Sequence, residues 1–162
     1  MAKKEVKTNA MRTLEREGVS YEHFEYDPTE TDGQKVAALL GQDENTVFKT
    51  LVTEAPGRRF YVFVIPVSGT LDLKKAASAA GEKSLSMLKQ KDLLPLTGYV
   101  HGGCSPVGMK KLFPTFIHSS ALSLDAFCVS AGRLGNQLRL SPARLAELTG
   151  ARFADLLLLE KK

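Results

Sequence analysis

Lys49 is the only charged residue in the run Val47 to Val52, where Val47, Phe48, Leu51 and Val52 are apolar and Thr50 stands beside it. In an extended chain alternate residues face opposite ways, so Val47, Lys49 and Leu51 share one face and Phe48, Thr50 and Val52 the other. The ammonium therefore has apolar neighbours whichever face is buried. Two placements fit: a binding cleft in which the ammonium meets an anion or a polarised carbonyl, and a sheet edge where a lysine lays its stem on apolar surface and extends its head to water. The stretch Gly102-Gly103-Cys104-Ser105-Pro106-Val107-Gly108 is the second candidate. Glycine permits backbone conformations and close approaches that let N–H groups converge on an oxygen, although the same composition also makes an ordinary surface turn. Ser130-Ala131-Gly132 offers a hydroxyl and another flexible turn at a strand end, or a plain hairpin.

Other motifs are excluded. His23, His101 and His118 lie on separate segments with no H-x-x-x-H spacing, and Cys104 and Cys128 have no C-x-x-C spacing, so neither a metal site nor a disulfide framework is expected. Cys104 has no assignable histidine partner and reads as a passive thiol. No G-x-S-x-G elbow, phosphate-binding loop or dinucleotide fingerprint occurs, because Gly132-Arg133-Leu134-Gly135 lacks the third glycine and the helical context. No cofactor is expected. The pairs Arg58-Arg59, Lys74-Lys75 and Lys110-Lys111 could contact phosphates or stay solvated.

The elements that must position these residues follow from periodicity. A chain of 162 residues, 43% hydrophobic and 25% charged, reads as one globular domain over residues 1–162 with a real core. No run is long enough to span a bilayer and the start is polar, so the expectation is a cytoplasmic protein without a membrane partner. The net charge of +4 permits a nucleic-acid partner without requiring one. Helices are expected over 7–17, 34–40, 71–80 and 89–94 and from the Ser141 cap to Gly150, with a short turn at 43–46. Strands are expected over 19–26, 47–52, 60–65, 115–117, 127–130 and 137–140, with Pro56-Gly57 turning the second into the third, and 151–159 is another strand or an extended core segment. Glycine and proline mark the span from Thr97 to Pro114 as loop. Hairpins among helices, without a regular strand-helix-strand period, predict an α+β fold, with a mixed sheet curled into a partial barrel and helices around it.

The ordered set Val47-Phe48-Lys49-Thr50-Leu51, Leu71-Asp72-Leu73-Lys74-Lys75, Thr97-Gly98-Tyr99-Val100-His101-Gly102-Gly103-Cys104-Ser105-Pro106-Val107-Gly108-Met109-Lys110-Lys111 and Val129-Ser130-Ala131-Gly132 resembles the YbaK/EbsC family over nearly the whole chain. These are free-standing relatives of the editing domain inserted in bacterial prolyl-tRNA synthetases. The resemblance implies hydrolysis of a mischarged aminoacyl-tRNA, above all cysteinyl-tRNA carrying the proline acceptor. It also implies a mixed sheet forming a partial barrel. By the same resemblance, Lys49 holds the terminal nucleotide and phosphate of the acceptor end without acting as nucleophile. Thr50 and Ser130 line that pocket, and Gly102 and Gly103 contact the aminoacyl group.

In the mechanism the resemblance implies, the substrate's thiol attacks its own ester carbonyl and leaves as a cyclic thiolactone, while the enzyme positions and polarises. Gly132 joins the candidate binding residues, as do Phe24 and Gln137, which depart from the family pattern. Phe24 stands where cysteine-specific members can have tyrosine, and Gln137 stands near a position where some have aspartate. Either departure could shift the amino-acid preference. The alternatives are a deacylase for alanyl or another small aminoacyl-tRNA, and a non-catalytic tRNA- or synthetase-binding module. Prolyl-tRNA synthetase is an implied partner, and a monomer is favoured.

Overall fold

A computed structural model of the chain describes residues 7–159. Helix α1 (Asn9–Arg16) starts where the Thr8 hydroxyl accepts from the Met11 N–H, and buries Ala10, Met11 and Leu14. Strand β1 (Glu22–Glu25) precedes α2 (Gly33–Leu39), capped by the Asp32 carboxylate, and a short 3-10 turn (Glu44–Thr46) leads into β2 (Phe48–Ala55). The chain then folds back as β3 (Arg59–Pro66) and enters α3 (Leu73–Ala80), where Asp72 accepts from the N–H groups of Lys74 and Lys75. A two-residue strand β4 (Ser86–Met87) and helix α4 (Gln90–Thr97) come before the glycine-rich loop, which ends at β5 (Thr115–His118). A 3-10 turn (Ser119–Ser123), β6 (Phe127–Ser130), β7 (Asn136–Leu140), α5 (Pro142–Thr149) and β8 (Arg152–Ala154) complete the described chain. No described helix is long and apolar enough to cross a membrane.

The fold is α+β as expected, and the strands form two sheets. One is antiparallel in the order β1-β7-β6, and the other is mixed in the order β4-β2-β3-β5-β8. The second combines the antiparallel β2–β3 hairpin with parallel pairing of β3 to β5 and of β5 to β8. The expectation of a single sheet curled into a partial barrel is therefore corrected: neither strand order closes on itself. The two sheets touch through a parallel bridge between Val47 and Cys128. Beyond that bridge β2 and β6 do not pair, and β4 covers β2 only at Thr53 and Glu54. The edge of β2 between Phe48 and Leu51 is thus left open toward β6, and this gap forms the site.

Both faces of the hairpin are packed, which makes it the rigid centre of the molecule. Phe48, Val52, Val62 and Val64 face a core with Met11, Leu14, Phe127, Val129, Leu138 and Leu145. Phe63 and Ile65 face a second core with Ala76, Ala77, Leu85, Phe116 and Leu156. Phe48 and Phe127 meet edge to face with ring centroids 4.9 Å apart, tying the two sheets together beside the gap.

The β5–β8 pair carries a pH-sensitive contact. The Leu156 N–H donates to His118 Nδ1 over 3.1 Å, which requires that nitrogen to be unprotonated. Burial holds the imidazole pKa below its ordinary value; Asp155 opposes this shift and Lys75 reinforces it. Because the folded-state pKa is depressed, stability is intact above about pH 6.5, the unfolded value. It falls as the pH drops through 6.5 toward the folded value, where the unfolded chain takes up a proton that the folded chain refuses. The urea midpoint is expected to fall between pH 7 and pH 5.5, and to fall less in His118→Asn, whose amide oxygen can accept the same N–H. Equal falls in both proteins would refute this origin.

Candidate functional site

The gap between the sheets is a cleft of about 170 Å³. Five consecutive residues of the β2 segment, Val47 to Leu51, line it. A strand can contribute consecutive residues in this way only when the cleft runs along its edge, since one face would supply every second residue. This explains why Lys49 and Thr50, which alternation separates, reach the same space. Gly102, Ser130 and Gln137 join them there, from the glycine-rich loop, the end of β6 and β7.

Lys49 is half-buried, and its ammonium makes no hydrogen bond or ion pair with any described residue. Thr50 Oγ1 is buried and likewise has no partner among the described residues. Burying a polar group unpaired costs stability, so this pair marks where a ligand's polar atoms would be satisfied. Ser130 Oγ accepts from the Gly132 N–H over 3.1 Å, which leaves the hydroxyl proton free to donate. Gln137 lies directly opposite Ser130 in the β6–β7 ladder, so both side chains project from the same face. Only 3% of Gln137 is exposed, and its Oε1 accepts from Gln42 Nε2 over 2.8 Å. With that oxygen occupied, the Gln137 amide nitrogen is its remaining donor. The cleft thus gathers one ammonium and several neutral donors, and no carboxylate of the described residues lines it. Its chemistry suits phosphate, ester and carbonyl oxygens.

The two loop glycines have different geometry. Gly102 lines the cleft with φ +83°, a left-handed conformation that side chains rarely adopt. Gly103 is outside the lining: its N–H donates to the Val100 carbonyl over 2.9 Å, and a Cβ there would lie 3.1 Å from the Leu134 nitrogen and 3.2 Å from the Arg133 carbonyl carbon. Gly103 therefore packs the loop against the 133–134 turn. Gly132 is also outside the lining, where a Cβ would come within 2.7 Å of the Tyr99 ring. Phe24 pairs with Gln137 across β1 and β7 and does not line the cleft.

Tyr26, Thr31, His101 and Cys104 also line the cleft and were not singled out as binding residues from the sequence. Tyr26 supplies a phenol in the site where a hydroxyl is missing at Phe24, and burial pushes its pKa up, so it is a neutral donor near pH 7. Tyr26 follows the end of β1, so no strand alternation in the sequence pointed to it. Burial pushes the Cys104 thiol up to about 12, which fits a passive thiol. Among the described residues no three His, Cys, Asp or Glu side chains cluster as metal ligands would. One member of each of two basic pairs is already engaged. Arg59 is held by Glu82 through hydrogen bonds of 2.7 and 2.8 Å, and Lys75 by Asp155 at 2.9 Å.

Comparison with known proteins places this geometry in context. The family described as "Aminoacyl-tRNA editing domain" matches residues 27–148. A protein of Enterococcus faecalis named "Putative Cys-tRNA(Pro)/Cys-tRNA(Cys) deacylase EbsC" is 45% identical over 160 residues, covering 96% of this chain and 98% of that one. A crystal structure described as "a putative trans-editing enzyme for prolyl tRNA synthetase" superposes with a TM-score of 0.84 at 26% identity, over 96% of this chain and all of that one. A second, described as a hypothetical protein, superposes with a TM-score of 0.85 at 26% identity, over 92% of this chain and 99% of that one.

Proposed function

The chain belongs to the aminoacyl-tRNA editing domain family and is an aminoacyl-tRNA deacylase, and on that premise we propose that it clears Cys-tRNA(Pro) in trans, as one editing domain acting in the cytoplasm. The observation that carries this reading is the half-buried, unpartnered Lys49 ammonium beside the orphaned Thr50 hydroxyl in a cleft lined by no carboxylate of the described residues. Lys49 anchors the terminal nucleotide of the acceptor end. The Ser130 and Thr50 hydroxyls and the Gln137 amide bind the surrounding oxygens, and the Gly102 backbone lies against the aminoacyl ester.

Bond breaking is assigned to the substrate. The cysteine sulfur attacks the ester carbonyl carbon, the carbon–oxygen bond to the ribose breaks, and the ribose oxygen takes up a proton equivalent to the one the thiol lost. A cyclic thiolactone and free tRNA result, and water then opens the thiolactone to cysteine. The protein contributes positioning and carbonyl polarisation, which are large terms when donors are held rigidly in a partly dry site. The Cys104 thiol, neutral and buried, is a poor nucleophile at neutral pH, which supports leaving the attack to the substrate. Selectivity for the proline acceptor is assigned to prolyl-tRNA synthetase acting as partner to the monomeric enzyme.

Deacylation of Cys-tRNA(Pro) and Ala-tRNA(Pro) by the purified protein tests this. A pocket that merely sizes a small side chain discriminates by about 10 to 200-fold. Substrate-assisted attack predicts a larger ratio in favour of cysteine, since alanine has no sulfur to attack with. Comparable rates on both would replace this mechanism with one in which water is the nucleophile.

A further inference from the structure

A second concavity lies between α1, the loop after the cleft and the end of α5. Its lining includes Arg12 and Arg16 from α1 and Lys111 from the loop, above an apolar floor that includes Met109 and Phe113. We infer that this groove binds the sugar-phosphate backbone of the tRNA acceptor stem while the acceptor end occupies the cleft; the inference rests on the proposed substrate.

Charge is the first argument. Arg12 and Arg16 are four residues apart on one helix, so their guanidinium groups stack on the same face about one turn apart. Like charges so placed repel, and among the described residues the groove lining holds a single carboxylate, Glu17, against three cations. Glu17 meets Arg16 at 3.5 Å in an exposed contact, and exposed pairs of this kind are weak. Arg12 and Lys111 have no ion-pair partner among the described residues. Three cations on one concave surface, compensated among the described residues only by the exposed Glu17 contact, match a regularly charged polyanion.

Continuity with the cleft is the second. One loop serves both sites: His101, Gly102 and Cys104 line the cleft, and Pro106 to Met109 line the groove. Gly108 presses the loop onto α1, since a Cβ there would lie 2.9 Å from the Ala10 nitrogen. Tyr99 OH donates to the Val107 carbonyl over 2.6 Å, and the Thr8 hydroxyl donates to the Ala131 carbonyl over 2.5 Å, just past Ser130. The groove is therefore built onto the same frame as the cleft residues. An acceptor end seated on Lys49 would bring its stem past this frame.

The test is binding of uncharged tRNA(Pro) as a function of salt, with hydrolysis of a short 3′-cysteinyl oligonucleotide as a control on the cleft. In the triple variant Arg12→Gln, Arg16→Gln, Lys111→Gln, affinity for tRNA is expected to fall at least about tenfold at low salt, and the slope of log affinity against log salt to flatten by about 2 to 3, one contact per lost cation. Hydrolysis of the short substrate and the melting temperature should stay unchanged. Unchanged tRNA affinity and slope would overturn the inference, as would a loss that appears only when prolyl-tRNA synthetase is present, which would make the groove a protein-docking surface. Because binding is read without turnover, a protein that binds tRNA through the groove but spares Cys-tRNA(Pro) would refute the proposed substrate and leave the groove standing.

Discussion

Lys49→Ala is expected to lower kcat/KM for Cys-tRNA(Pro) by about 10² to 10³-fold, the usual consequence of removing one positioned charged or polarising donor from an active site. The same change should leave the melting temperature unchanged. That combination follows from the geometry: the ammonium is half-buried, has no partner among the described residues, and shares its face of β2 with Leu51 opposite Phe63 and Ile65. The fold loses no ion pair or side-chain hydrogen bond among the described residues when Lys49 is removed, while the substrate loses its anchor. An edge-strand lysine would behave in the opposite way. Its loss would leave activity intact and expose a sheet edge to association. Steady-state kinetics together with a melting curve separate the two, and full activity with increased aggregation would end the anchoring role.

Gly103→Ala is expected to lower the rate as well, by less and for a different reason. Gly103 does not line the cleft, and its N–H is already used by the Val100 carbonyl. The added methyl meets backbone atoms of Arg133 and Leu134 at 3.1 to 3.4 Å, a contact that only movement of the loop or the turn can relieve. The adjoining Gly102 would then shift relative to Lys49 and Ser130. Contacts of this length need relief of a few tenths of an ångström, and since a displacement of about 1 Å costs on the order of 10²-fold in rate, the expected loss is about threefold to tenfold. Rate loss with preserved tRNA binding is the expected signature, because the groove and Lys49 are untouched. A variant with normal turnover would show that the 133–134 turn gives way freely and that the loop is not held by this contact. A variant with weakened tRNA binding would show that the distortion spreads beyond the ester.

Local signals were legible where a single segment carries them. Ser141 and the glycines after α3 and α5 mark helix ends through caps that depend on neighbouring residues alone, and each falls where expected, whereas Asp72, expected inside a helix over 71–80, caps that helix from outside. Pro56-Gly57 turns a hairpin whose eight paired positions follow from the turn outward. The two-residue β4 is too short to show periodicity, while a turn containing Ser119-Ser120 was expected and is the 3-10 turn Ser119–Ser123. The sheet count was also beyond reach. Whether seven strand-like runs make one curled sheet or two depends on which edges meet, and the Val47–Cys128 bridge joins residues 81 positions apart.

The same division holds for the site. Residue types and order along the chain were enough to single out Lys49, Thr50, Gly102, Ser130 and Gln137, because the misplaced charge, the glycine loop and the strand-end hydroxyl are local features, and their ordered resemblance to one family links them. Only the tertiary structure sorted Gly102 from Gly103, moved Phe24 and Gly132 out of the lining and brought Tyr26 and Cys104 in. It also turned Gln137 into an amide oriented by Gln42. Those distinctions rest on which backbone atoms crowd a missing Cβ, which N–H is already bonded and which strand edge stays open. Each is set by segments distant in sequence, so no stretch of residues read by itself contains it.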